Sequence, residues 1–115
     1  RSFIAVDEIV QLVRAVTGWD VDLDELLRIG ERATNLARAF NVLHGFSRKD
    51  DVLPRRLFDP LPCGPMEGVA ISKPEFERTM GALYELKGWN PVTAAPTRDR
   101  LRGLQIEWVA DLLEA

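Results

Sequence analysis

The chain has 115 residues, 46% hydrophobic and 29% charged, which fits one domain and excludes disordered, collagen-like and disulfide-scaffold classes. A net charge of -3, one His and a pI near 5.2 give no long-range attraction toward nucleic acid or anionic lipid. A single cysteine, Cys63, can neither close an intrachain disulfide nor build a thiolate metal site. No apolar run reaches the roughly 20 residues of a membrane helix and no signal peptide opens the chain, so a soluble protein of the reducing cytoplasm is expected. The sequence opens on Arg1 and runs straight into apolar residues up to Val6, the expected look of a piece of a longer protein.

Asp7 is placed to cap a first helix in which Val6, Ile9, Val10, Val13 and Val16 recur at helical spacing, with Leu12 and Ala15 beside them. So wide an apolar coat wants cover on more than one side before Gly18 ends the helix. Asp22 with Glu25 three residues on predicts the start of a second helix of about 23 residues, stopped by Gly45. Leu23, Leu26, Leu27, Ala33, Leu36, Ala37, Phe40 and Leu43 form its apolar face. Asp24, Arg28, Glu31, Asn35 and Arg38 lie opposite and are expected to face water, with Asp24 and Arg28 as an i,i+4 ion pair. From Phe46 to Ser72 the periodicity disappears and Pro54, Pro60, Pro62 and Pro65 hold the chain extended or turned. This is expected to be a strap across another surface, with a helical turn near Leu53 to Phe58 and a short extended contact at Val69 to Ile71. Ser72 and Glu75 repeat the capping-box spacing ahead of a third helix whose stripe is Phe76, Met80, Leu83 and Tyr84, up to Gly88. Thr97 opens a short helix through Leu101, and Trp108, Val109, Leu112 and Leu113 mark an amphipathic end piece. The fold class is therefore all-α: an irregular helical bundle with a long Pro-rich strap, residues 1–115 forming one domain.

Candidate chemistry is sparse. Asp20, Asp22, Asp24 and Glu31 imitate the spacing of a calcium loop, but Glu25 stands where that loop needs glycine, and the helix cap already accounts for Asp22 and Glu25. His44 falls where an imidazole meets the carbonyl end of the second helix. Cys63 sits in a Pro62-Cys63-Gly64-Pro65 turn with no second thiol nearby. Arg48, Lys49, Asp50 and Asp51 form a mixed-charge cluster better suited to clamping a loop than to proton transfer, since adjacent cations lower both carboxyl pKa values. Arg55, Arg56, Arg98, Arg100 and Arg102 lack the aromatic interleaving of a nucleic-acid surface.

A resemblance then enters. Gly30-Glu31-Arg32-Ala33-Thr34-Asn35-Leu36-Ala37-Arg38-Ala39-Phe40-Asn41, followed by Gly45-Phe46-Ser47-Arg48-Lys49-Asp50-Asp51 and Leu53-Pro54-Arg55-Arg56, is similar to the C-terminal region of tungsten-dependent aldehyde ferredoxin oxidoreductases. It continues through Leu61-Pro62, Gly64-Pro65, Tyr84-Glu85-Leu86-Lys87-Gly88-Trp89, Pro96-Thr97, Leu104 and Trp108-Val109, spanning about residues 22 to 113 in family order. Leu43, Thr34 and Cys63 depart from the family pattern.

The resemblance implies an enzyme that oxidises an aldehyde to its acid with water, using a tungsten or molybdenum bis-pterin centre and an Fe4S4 cluster, and passes electrons to ferredoxin. The family's cluster-binding cysteine motifs are missing from this sequence, so the fragment itself is expected to hold no cofactor or metal and to carry no catalytic residue. Its expected partners are the upstream domains of the same polypeptide, with no nucleic acid and no membrane. Covering the cofactor and walling the substrate channel is the implied role. Asn35, Arg38, Asn41, Arg48 and Asp51 carry the motif as possible channel-lining or domain-contact residues. Surfaces that normally meet the upstream domains are expected to make the isolated fragment self-associate. The alternative from the residues alone is a free-standing helical interaction module.

Overall fold

The computed structural model describes residues 5–115. It contains five α-helices and two 3-10 turns: α1 (Val6–Thr17), α2 (Leu23–Leu43), the 3-10 turns Arg48–Asp50 and Arg55–Leu57, α3 (Lys73–Lys87), α4 (Arg98–Gly103) and α5 (Trp108–Glu114). Among the described residues no sheet forms, and Trp89 with Pro96 makes a single antiparallel bridge. The all-α class predicted from periodicity is the observed one. The apolar lead before Ala5 lies outside the described residues.

Local chemistry sets most of the helix ends. Ala5, not Asp7, precedes α1, and its N–H donates to the Glu8 carboxylate while Asp7 falls in the first turn. Asp22 caps α2 by accepting from the Glu25 N–H at 2.8 Å, which satisfies one of the amides a helix start leaves unpaired. Ser72 occupies the cap position of α3 in extended backbone, but its hydroxyl makes no capping bond; Pro in the first turn carries the start instead. Thr97 caps α4 through the Arg100 N–H. Gly88 closes α3 at φ 66°, where an added Cβ would stand 3.0 Å from the Arg100 stem, so both backbone sign and space reserve this position for glycine.

The strap keeps the expected helical turn at Arg55–Leu57 and adds a second, Arg48–Asp50, capped by Ser47. The Ile71 N–H returns to the Leu57 carbonyl and the Leu61 N–H to the Val69 carbonyl, each at 3.0 Å, closing residues 57–71 into an excursion. α5 and α1 pack on α2, and α4 packs on α5. The compact core is small: Ala39 of α2 with Leu101, Leu104, Ile106, Val109 and Ala110.

The remaining shape is a plate. The Cα radius of gyration is 18.6 Å within extents of 52 × 45 × 21 Å, against about 13 Å for a compact chain of this length. The accessible surface is 8712 Å² for 13.0 kDa, where a compact monomer of that mass exposes about 6,300 Å². Much of the excess is apolar: Val6, Ile9, Leu12 and Val16 of α1, and Leu57, Leu61, Met66, Val69 and Ile71 of the strap are all exposed. α1 buries Val10 alone.

α2 overturns a prediction. Its buried residues are Asn35, Arg38 and Ala39, so the C-terminal part of the face read as solvated is packed inside this chain, while Asp24 and Arg28 at its start are exposed as expected. The apolar face is the bare one, with Phe40 60% and Leu43 49% exposed. The physical reason is that each polar group on the inner face finds a partner, which removes the penalty of burying it. Arg28 does not pair with Asp24; Glu25 takes both Arg28, at 3.9 Å, and Arg32, at 2.8 Å.

Candidate functional site

Arg38 is the centre of the polar cluster on the inner face of α2. Its Nε donates to the Ala94 carbonyl at 2.8 Å, and Nη1 and Nη2 donate to the two carboxylate oxygens of Asp51 at 2.9 and 2.6 Å. This is the two-pronged geometry that a planar guanidinium offers and an ammonium does not. The guanidinium also lies 5.0 Å from the centre of the Trp89 ring, within cation–π range. One turn earlier, Asn35 accepts from Trp89 Nε1 at 2.9 Å and donates Nδ2 to the Glu31 carbonyl at 2.8 Å. Asn35 and Trp89 therefore hold each other, and Trp89 presents its face to Arg38.

Asp51 reaches this cluster because the Ser47-capped turn Arg48–Asp50 carries it back across α2. Its carboxylate also accepts from the Tyr84 hydroxyl of α3. Arg48 stacks over the Tyr84 ring at 4.9 Å and donates Nη2 to Glu77 at 2.9 Å, while its buried Nη1 finds no partner among the described residues. Four separated segments thus meet at one knot: α2, the strap, α3 and the 89–96 loop. That loop is itself held by Asn90, whose side-chain oxygen accepts from the Val92 and Thr93 amides. It places the fully buried Ala94 at φ 60°, a conformation uncommon for a residue with a Cβ.

The electrostatics fix the protonation states. Burial works against the Asp51 carboxylate, but hydrogen bonds from Arg38 and Tyr84 and the charges of Arg38 and Arg48 outweigh it and hold its pKa below the ordinary value of 3.8. Burial raises the Tyr84 pKa above 10.0, reinforced by its bond to Asp51 and that residue's charge. At neutral pH Asp51 is therefore the charged acceptor and Tyr84 the protonated donor of the bond between them. A depressed folded-state pKa stabilises the fold above the unfolded value and loses that contribution as pH falls through the folded one. Stability of the chain is accordingly expected to fall as pH drops below the ordinary carboxylate value of 3.8 and on through the lowered folded-state one. Urea titrations at neutral pH and in acid should give a smaller fall for Asp51→Asn than for the parent chain.

Of the sequence candidates, Asn35, Arg38, Arg48 and Asp51 come together here. Asn41 does not: it is exposed and lies outside the knot. Trp89, Tyr84 and Ala94 are the members that sequence reasoning missed. The arginines near the C-terminal end are engaged with acids, Arg98 with Glu107, Asp111 and Glu114, Arg100 with Glu31, and Arg102 with Asp99 and Glu107. His44 donates Nδ1 to the Phe40 carbonyl at 2.8 Å, the helix-end role expected of it.

An iron-sulfur cluster does not fit this donor set. Cys63 is the one thiol and is exposed in the strap, and four thiolates are needed. Among the described residues no three His, Cys, Asp or Glu side chains converge as metal ligands, and no helix is long and apolar enough to cross a membrane.

A family model described as aldehyde ferredoxin oxidoreductase, domains 2 & 3, matches residues 1–106. Tungsten-containing aldehyde ferredoxin oxidoreductases of Pyrococcus horikoshii and Pyrococcus furiosus are each 34% identical, over 106 and 105 residues, which is 90% of this chain and 17% of theirs. An aliphatic sulfonate oxidoreductase, WOR-like subunit, of Pyrococcus furiosus is 30% identical over 90 residues, 73% of this chain and 14% of that protein. This chain therefore spans about a sixth of the length of the relatives it matches first, 17%. The motif residues Asn35, Arg38, Arg48 and Asp51 fall inside the matched stretch and form the polar knot, and the chain belongs to the aldehyde ferredoxin oxidoreductase family.

Proposed function

We propose that this chain is the C-terminal helical part of a larger oxidoreductase, one that converts an aldehyde and water to a carboxylic acid and delivers electrons to ferredoxin. In such an enzyme the tungsten or molybdenum bis-pterin centre, with its Fe4S4 cluster, supplies the redox chemistry. No residue of this chain is assigned a step in it. The chain's part is architectural: it covers the cofactor-bearing domains, walls the substrate channel and keeps bulk water from the reacting groups. A cytoplasmic setting suits a chain whose single thiol stays free.

The observation that carries this reading is α2, whose Asn35 and Arg38 are tied inward while Leu36, Phe40 and Leu43 stand exposed, as does most of the apolar coat of α1. So much exposed apolar surface is the mark of a surface that meets another. The polar knot keeps that surface in one shape. The test is aldehyde-dependent dye reduction by the longer polypeptide carrying Leu36→Asp with Phe40→Asp. Activity is expected to fall by about tenfold or more, because each carboxylate buried without a partner costs several kcal/mol. Unchanged activity would remove the covering role.

A further inference from the structure

The bare face of α2 has a finer pattern than amphipathicity requires. Leu26, Ile29, Ala33, Leu36, Phe40 and Leu43 follow one another at intervals of three, four, three, four and three residues. That alternation is the 3.5-residue repeat of a knobs-into-holes seam, and it runs from Leu26 to the helix end at Leu43. Leu26 at the start of this seam is half-buried, but Ile29, Leu36, Phe40 and Leu43 are 36, 38, 60 and 49% exposed, so among the described residues no element fills the seam beyond its first turn.

The flanks of the seam say what kind of partner it takes. On one side stand Gly30, Ala37 and His44, with no carboxylate, lysine or arginine among them, and a Cβ added at Gly30 would meet nothing within 4 Å. On the other side Glu25 and Arg32 are already paired with each other, and Ala39 is in the core of this chain. Free charges on both flanks, the usual means by which solvent-exposed coiled coils choose a partner, are missing. Small residues beside a heptad seam instead let a second helix approach closely, as in a protein interior. Relatives about six times as long, of which this chain matches 17%, supply enough further polypeptide to contain such a helix.

From this we infer that the seam of α2 is the docking site of one apolar, uncharged-faced helix from the remainder of the same polypeptide, packed along α2 at the shallow angle of coiled-coil geometry. The inference rests on the covering role proposed above and adds the shape of the covered element.

The test uses thiol accessibility in a Cys63→Ser background, with single substitutions Ile29→Cys, Leu36→Cys and Leu43→Cys on the seam, Thr34→Cys and Asn41→Cys off it, and Leu12→Cys on α1. Maleimide labelling is compared between the dilute isolated chain and the longer polypeptide. The expected result is slowing by about tenfold or more at positions 29, 36 and 43 in the longer polypeptide only, as for a site that must open locally before reacting, with 34 and 41 still reactive. Slowing at 34 and 41 as well would replace the helix by an enveloping irregular segment. Slowing at Leu12→Cys alone would overturn the seam while leaving the covering role standing. Free labelling everywhere would overturn both. Seam protection already present in the isolated chain, rising with its concentration, would assign the seam to a second copy and overturn the inference.

Discussion

Replacing Arg38 with alanine is expected to destabilise this chain by about 3 to 5 kcal/mol, the cost of removing one partner from a buried ion pair. The Arg38 side chain is only 9% exposed and Asp51 25%, so solvent screens the pair weakly. Without the guanidinium, the Asp51 carboxylate keeps Tyr84 and the stacked Arg48 nearby but loses its bidentate donor. The Ala94 carbonyl loses its donor, and Trp89 loses the cation on its face. A domain of this size has a total stability of roughly 5 to 15 kcal/mol, and the extended shape of this one places it toward the lower end. Urea denaturation of Arg38→Ala should therefore show a midpoint moved close to zero denaturant. Arg38→Lys should recover part of the loss, since an ammonium keeps the charge but not the two parallel bonds. Adding Asp51→Asn to Arg38→Ala should cost much less than the sum of the singles, because the second change relieves the stranded charge left by the first. Additive losses would mean the two side chains do not act as a pair.

The elements were legible in the sequence and the partnerships were not. Asp22 with Glu25, Thr97, Gly18 and Gly88 mark helix ends through local hydrogen bonds and backbone sign, effects that act within four residues and so leave a local trace. The direction in which α2 faces has no such trace. Periodicity places Asn35 and Arg38 on a polar face and, by the ordinary rule, in water. Their partners lie far along the chain: Trp89 is 54 residues from Asn35, and Ala94 is 56 from Arg38. Each is held there by the 89–96 loop, whose left-handed Ala94 breaks the usual preference and is not announced by a glycine. Tyr84 illustrates the same limit. Its place in the α3 stripe identified it as apolar filling, and its ring does that, but its hydroxyl is the third link to Asp51. The family motif joined Asn35, Arg38, Arg48 and Asp51 in one sequence pattern, the one signal that pointed toward their meeting.

A second large effect concerns α1, where the proposed covering role makes its strongest demand. This helix has 12 residues and buries only Val10, with Val6, Ile9, Leu12 and Val16 between 45 and 77% exposed. A helix of that length is marginal in water on its own, because nucleation is costly and most helical stability comes from packing an apolar face. Its side-chain ties are slight by comparison and reach only the link before α2: Arg14 Nε donates to the Val21 carbonyl at 2.6 Å and pairs loosely with the fully exposed Asp20 at 3.7 Å. In the isolated chain, then, α1 should open readily. Burying four such side chains against another surface contributes about 1.5 to 3 kcal/mol each at full burial, far more than the helix needs to become stable.

Backbone hydrogen exchange of α1, compared between the dilute isolated chain and the longer polypeptide that contains it, measures this directly. Exchange is expected to slow by about a hundredfold or more across Val6–Thr17 in the longer polypeptide, with the amides around Leu101 and Val109 much less changed. Equal exchange of α1 in the two proteins would mean that nothing rests on this face.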